Sequence, residues 1–473
     1  LAPACCLSAP LRGAPLRRPA SLLIATSSSE PATRALLGRG VRATMSVVAL
    51  ILGAAAAGGA QQVALVGGML LDGYEGPVIH NAAIVIEGDR IVAVGPADQV
   101  EIPSDARVID TRGMTMLPGL IDLHVHTMFL GHGEYSEWFP LFTPNKQEMM
   151  EIAAKQLLMA GVTTAVDLGA PLEVVSLRDR IARGEVPGPR MLVSGPWIAG
   201  RRWGGYPDYF QHVVSTPEQA AQRTQELADA GVDVIKTWSG MSETLMRAVV
   251  EVAHARGLQV HSHLYAPDAI RAAMRAGTDV IQHAGSAGNP PYPDDLVLEI
   301  ANSGIPVVQT IAHRPWVFQA TLEFPERLQD RRLVEDLPAE LYEEFQRSFE
   351  DFHRLSYFRT TPQQIRKSSV AARQFIAAGA VMGMGTDSGS PLNFHTESAW
   401  REISALVDSG MTPLQAISAA TKTGAEILGR GRELGTIEPG KLADVIVVRG
   451  NPLFDINVLG YVEHVVKGGV VYR

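Results

Sequence analysis

Apolar residues recur with two different periods along this chain of 473 residues. In the runs VALVGGMLL, AAIVIEGDRIVAVG and ARVIDTRGMTML, between Val63 and Leu117, they tend to alternate with polar ones. That is the period of a strand, whose successive side chains face opposite ways. Gly67-Gly68 and Glu87-Gly88-Asp89 punctuate the runs as turns. The same pattern returns near the C-terminus in KLADVIVVRG and VEHVVKGGVVYR. Two β-rich ends around a different middle predict one small β-sandwich domain assembled from residues 61–117 and 430–473.

Residues 118–429 alternate short apolar runs with helical periodicity. The predicted strands are Leu117–His126, Thr163–Leu168, Arg190–Ser194, Val234–Thr237, Leu258–His263, Asp279–His283, Ile305–Thr310 and Val381–Asp387. Helical patterns cover Gln147–Ala160, Pro217–Ala230, Glu243–Arg256, Pro267–Ala276 and Asp294–Ser303, and glycines such as Gly161, Gly257, Gly277 and Gly304 follow where a helix C-terminus needs one. Eight such units predict the α/β class and a (β/α)8 TIM barrel over 118–429. The seventh connection, 321–378, is long and rich in Glu, Arg and Phe, and reads as extra helices that either form part of a lid or pack outside the barrel.

The first sixty residues follow neither pattern. They carry six arginines, no lysine and one acid, Glu30. Arg34, Arg39 and Arg42 precede the apolar run Val47–Ala57, and small residues follow up to Ala60. This is the order of a secretory signal, and the run is shorter than the ~20 residues a membrane span requires. Residues 1–60 are therefore expected to be a leader that exports the chain, with a transit peptide or a cytoplasmic location as the alternative. Met45 offers a start that would leave 1–44 as upstream over-translation. No membrane span is expected in the mature chain.

Composition removes several function classes. A net charge of −9 argues against phosphate-driven nucleic-acid binding. The two cysteines, Cys5 and Cys6, are adjacent and lie in the leader, which leaves no disulfide framework and no thiolate metal site. A metal would have to be held by His, Asp, Glu or a modified Lys. The expected partner is a small-molecule substrate, with self-association left open.

The chemistry-bearing residues sit where predicted strands end. His124 and His126 close the first strand two residues apart, hence on one face; Lys236 ends the fourth, His263 the fifth, His283 the sixth and Asp387 the eighth. In a (β/α)8 barrel these ends meet at the carboxyl face, where active sites are built. Each residue alone has an ordinary structural explanation; together they read as a metal site. His261 shares a strand face with His263. His263 is nearer the strand end and is the expected ligand, with His261 the alternative.

LPGLIDLHVH, the lysine strand, the two histidine strands, GTD on the eighth strand and the ending MTPLQAISAATKTGAEILG…LGTIEPGKLADVIVV together resemble the amidohydrolase superfamily, most closely its imidazolonepropionase-like and prolidase-like members. The resemblance covers residues 63–473. It implies two divalent metal ions, most readily Zn²⁺, one held by His124, His126 and Asp387 and the other by His263 and His283. It further implies that Lys236, carboxylated by CO2, bridges them. The parts are chemically sensible. An ammonium offers no lone pair, burial lowers its pKa, and its carbamate is an anionic oxygen ligand. A metal-bridging hydroxide is the implied nucleophile, and Asp387 the acid/base that carries a proton to the leaving nitrogen. Where prolidase-like relatives have a second histidine two places after the fifth-strand ligand, this chain has Tyr265.

For the substrate, Tyr265 is the leading contact. Arg201 and Arg202 after the third strand, His313 after the seventh and His395 after the eighth are further candidates; Trp203, Tyr206, Arg314, Trp316 and Asn393 share those loops. An arginine in the mouth suits a carboxylate. The expected activity is hydrolysis of a C–N bond of a dipeptide, an N-acyl amino acid or a cyclic amide. A lactonase or phosphotriesterase on the same scaffold, and a non-catalytic binding relative, are the alternatives.

Overall fold

The computed structural model describes residues 62–285 and 289–473. The expected leader, residues 1–60, lies outside them. Among the described residues, the two chain ends share one eight-stranded sheet. Gln62–Leu70 pairs antiparallel with Ile79–Glu87, which pairs with Arg90–Pro96. On its other edge the same strand takes two parallel partners in turn, Arg107–Asp110 and then Met114–Pro118. Val445–Arg449, Val462–Lys467 and Val470–Val471 complete the sheet. Gln62–Leu70 changes partner beside its register shifts at Val66/Gly68 and Gly68/Leu70, the device by which a strand turns a corner between layers. Val63, Leu65, Ile84 and Ile86 from the N-terminal part then share a core with Val445, Val447 and Val466 from the C-terminal part.

The middle of the chain holds two parallel ladders. Leu120–Val125, Val162–Asp167 and Arg190–Val193 form one. Val234–Thr237, Gln259–His263, Val280–Gln282, Val307–Gln309 and Met382–Met384 form the other. Their edges are joined by backbone hydrogen bonds: Asp233 N–H donates to Val193 O at 2.9 Å, and Asp387 N–H to His124 O at 2.8 Å. Two short strands, Trp197–Ala199 and Gln211–Val213, extend the second ladder from the loop after Arg190–Val193. The helices between strands are amphipathic. Glu243–Ala255, for example, buries Leu245, Met246, Val249, Val250 and Ala253, and its Ser242 cap accepts from the Leu245 N–H.

The predicted strand Leu117–His126 divides at Gly119. Met114–Pro118 pairs with Val445–Arg449 in the terminal sheet, whereas Leu120–Val125 enters the parallel ladder. The crossing is tight: a Cβ on Gly119 would stand 2.1 Å from Thr163 Oγ1, so only glycine passes. Helix Pro315–Glu323 leads into the long seventh connection, which forms helices at Ala339–Glu350 and Thr361–Ala377 with short helical turns between them. Its Phe345, Phe352, Leu355 and Phe358 pack into the cluster that holds Met128, Phe129 and Phe394. Among the described residues no helix is long and apolar enough to cross a membrane.

Candidate active site

The strand ends converge on one cavity of about 620 Å³. His124, His126, Lys236, His263, His283 and Asp387 all line it. The imidazoles stand in contact order: ring centroids are 5.2 Å apart for His124 and His126, 4.2 Å for His124 and His283, and 4.8 Å for His263 and His283. Asp387 Oδ1 lies 3.1 Å from His126 Nε2 and 3.7 Å from His124 Nε2, and one ligand atom from each of these three residues falls within 4.8 Å of the others. Two residues of the set adopt left-handed backbone although neither is glycine, His283 at φ 65° and Asp387 at φ 54°. Such strain is tolerated where the surrounding structure fixes a side chain for a purpose.

Hydrogen bonds behind the rings set which nitrogen faces the cavity. His126 Nδ1–H donates to Gly169 O at 3.2 Å, and His124 Nδ1–H to Gln282 Oε1 at 2.8 Å. Each Nε2 is therefore the ring nitrogen turned toward the cavity and Asp387. Gln282 also donates from Nε2 to His261 Nδ1 at 3.0 Å, which ties His261 behind the lining; of the two histidines on that strand, His263 reaches the cavity. Asp122 accepts from the His124 N–H at 3.0 Å and the Thr386 hydroxyl at 2.7 Å, pinning the first strand to the eighth.

Electrostatics favour the ligand forms. Burial, reinforced by Lys236, holds His124 and His263 well below the usual imidazole range; burial likewise lowers His283. Burial works against the Asp387 charge, but His313, His283 and the hydrogen bonds from His126 and His313 prevail and hold it well below the usual carboxylate range. Burial brings Lys236 down to about 7, with Asp387 opposing. Lys236 is 1% exposed and, among the described residues, its Nζ has no hydrogen-bond partner; His124 Nε2 and His263 Nδ1 are buried and equally unpartnered. Three orphaned nitrogens on the wall of one cavity are costly unless something binds there. A sulfur-free set of imidazoles, a carboxylate and a lysine suits a borderline divalent cation. The residues present fit a metal centre.

The expected substrate contacts are placed differently from one another. Tyr265 and Arg201 line the cavity. Arg202 lies outside the lining, exposed, and pairs with Asp208. His313 sits behind Asp387, its Nδ1 3.0 Å from Oδ2, and its Nε2 meets the Tyr357 hydroxyl. His395 is a buried strut: its Nε2–H donates to Phe129 O at 2.9 Å and its Nδ1 accepts from Ser388 Oγ at 2.8 Å. Sequence reasoning passed over Gln282 and Asp122. The only sign of each was a polar residue inside an otherwise apolar strand, directly before or two places before a histidine. Ser356 and Tyr357, which also line the cavity, come from the long connection, where no periodic pattern points inward.

The sequence profile of the Amidohydrolase family matches residues 115–471. The chain is 24% identical over 423 residues to an imidazolonepropionase of Geobacillus kaustophilus, covering 83% of this chain and 90% of that protein. It is 25% identical over 458 residues to an ochratoxinase of Aspergillus niger, covering 86% and 85%. The crystal structure of a Xaa-Pro dipeptidase with methionine bound in its active site superposes with a TM-score of 0.68 at 26% identity, covering 87% of this chain and 100% of that one.

Proposed function

The chain belongs to the amidohydrolase family, and from that premise we propose that it is a binuclear metal-dependent hydrolase cleaving the C–N bond of an N-acyl amino acid or dipeptide. The observation that carries the reading is the trio of unpartnered buried nitrogens, on His124, Lys236 and His263, in one cavity with His126, His283 and Asp387. In this reading the two parallel ladders close into a (β/α)8 barrel through the hydrogen bonds at Val193 and His124. The solved Xaa-Pro dipeptidase, whose active site holds an amino acid, supports a substrate of that kind.

His124, His126 and Asp387 would hold one ion and His263 and His283 the other. Lys236 would bridge them once its neutral amine adds to CO2, giving a carbamate and releasing one proton. The bound ions, most readily Zn²⁺, would polarise the scissile carbonyl and acidify the attacking water. Asp387 accepts the proton of that water on its carboxylate and passes it to the leaving nitrogen. His313 Nδ1 lies 3.0 Å from its Oδ2, so the carboxylate is aimed before substrate arrives. Gln282 and Gly169 fix the imidazole tautomers.

The test is an assay of the full chain, stripped with chelator and reloaded with Zn²⁺, against N-acyl amino acids, dipeptides, lactones and phosphotriesters. Release of free amino acid only in the reloaded protein is the expected result. Turnover of lactones or phosphotriesters in preference to amides would replace the reading, and less than one metal per chain after reloading would point to a non-catalytic relative.

A further inference from the structure

The lining of the cavity includes a cation that the chemistry above leaves unused. Arg314 follows His313 on the loop after Val307–Gln309 and lines the cavity. Its guanidinium carbon lies 4.1 Å from the centroid of the Tyr357 ring, a surface supplied by the long connection. Its Nε is shielded from solvent without a hydrogen-bond partner, and among the described residues no carboxylate pairs with it. The acids of the same lining are engaged elsewhere. Glu134 accepts from the Ser356 N–H at 2.9 Å and hydroxyl at 2.7 Å, and Asp387 is held by His126 and His313.

The loop that carries Arg314 is fixed from behind. Buried Glu402 accepts from the Ile311 N–H at 2.9 Å and the Ala312 N–H at 2.7 Å, and His313 is pinned between Asp387 and Tyr357. Arg201, by contrast, is exposed and lies 5.8 Å over Trp203. Burial opposes the Arg314 charge, while Tyr357, Tyr265 and Asp387 favour it, and the guanidinium and Asp387 line the same cavity. Phe129, Trp197, Tyr206 and Trp238 supply a broad aromatic surface in the same lining. A stacked, planar cation whose two Nη groups, unlike its shielded Nε, stay open to the cavity matches a carboxylate, which can take two parallel hydrogen bonds from them. The aromatic surface matches a flat apolar group.

We propose that Arg314, seated on Tyr357, is the carboxylate anchor of the substrate site, so that the substrate is an amide with a free carboxylate at one end and a flat apolar group at the other. This rests on the amide-hydrolase reading of the same cavity and names the residue that selects within it. Arg314 is a specificity residue; it moves no proton.

The test is calorimetric titration of the full Zn²⁺-loaded chain with 3-phenylpropanoate and with 3-phenylpropanamide, in wild type, Arg314→Met and Arg314→Lys. Wild type is expected to bind the carboxylate ~10- to 100-fold more tightly than the amide. Arg314→Met should erase that preference while leaving amide affinity within about twofold, and Arg314→Lys should keep part of it, since an ammonium retains charge without the fork. Unchanged amide binding reports an intact cavity. A carboxylate preference that survives in Arg314→Met would overturn the proposal by assigning the carboxylate to the metal site. Equal loss of both ligands in both variants, or no preference or no binding in wild type, would overturn it as well. Hydrolysis of N-acyl amino acids is scored separately. If it is absent while the Arg314-dependent preference stands, the amide-hydrolase reading fails and the anchor remains.

Discussion

One part of the cavity lining hangs from the ends of parallel strands; the other is assembled from loops and the long seventh connection. The strand-end part is His124, His126, Lys236, His263, His283 and Asp387, and it is braced by side chains from neighbouring strands, Gln282 and Asp122 among them. The loop part includes Arg314, Ser356 and Tyr357, tied together by Glu134, Glu402 and His313. In a ladder, register fixes where a side chain points, so the chemistry is set by the fold itself. In the loops, position depends on a few polar ties and on packing, which leaves that side free to vary with substrate. The contrast predicts that substitutions in the strand-end part abolish turnover on every substrate, whereas those in the loop part redistribute it among substrates.

The largest effect is expected at Lys236. Lys236→Ala should lower kcat/KM by more than the ~10- to 100-fold typical of a residue that merely orients a ligand, and should reduce bound metal. Added formate, a free carboxylate, should restore part of the activity. Wild-type turnover in this variant would remove the bridging role and with it the contrast. Next comes Asp387→Asn, for which a loss of ~10² or more in kcat is expected with near-normal folding, because the amide cannot carry the proton. A loss confined to KM would demote Asp387 to a binding group.

Gln282→Leu probes the brace behind the proposed ligands. It removes the acceptor that holds the His124 tautomer and should cost ~10-fold or more in metal affinity. It also leaves His124 Nδ1 and His261 Nδ1 unpaired, for ~1–3 kcal/mol of stability. Titration of metal into the stripped protein, together with thermal unfolding, separates the two. Metal affinity equal to wild type would mean that the strand-end part does not need its bracing.

The same division explains what the sequence disclosed. The period-2 and period-3.6 patterns placed the strands of the middle of the chain to within a few residues, because buried ladders require apolar runs and amphipathic helices require a stripe. His124, Lys236, His263, His283 and Asp387 were legible because each interrupts such a run at its end. Gly119 hid a boundary: Leu117 to His126 reads as one apolar strand, and only the close approach of Thr163 reveals that the chain changes sheets there. The loop part was poorly legible. Arg314 and Arg202 look alike in sequence, each a basic residue near an aromatic one. Only tertiary contacts separate them, a stacked guanidinium in the lining in one case and an exposed ion pair in the other. Tyr357 had no local signal, since its partners His313 and Arg314 lie more than 40 residues away in sequence.

Arg202 therefore supplies the smallest predicted effect and the sharpest check on the loop part. Its side chain is 57% exposed and its partner Asp208 is 78% exposed. An ion pair so open to water contributes ~0–1 kcal/mol, because solvent screens it and two long side chains lose freedom to form it. Arg202→Ala should leave thermal stability within ~0.5 kcal/mol of wild type and kcat/KM within about twofold on every substrate turned over. If the variant instead lost tenfold on carboxylate substrates alone, the loop after Arg190–Val193 would have to close over the cavity during turnover. The anchoring role would then be shared between two arginines rather than resting on Arg314.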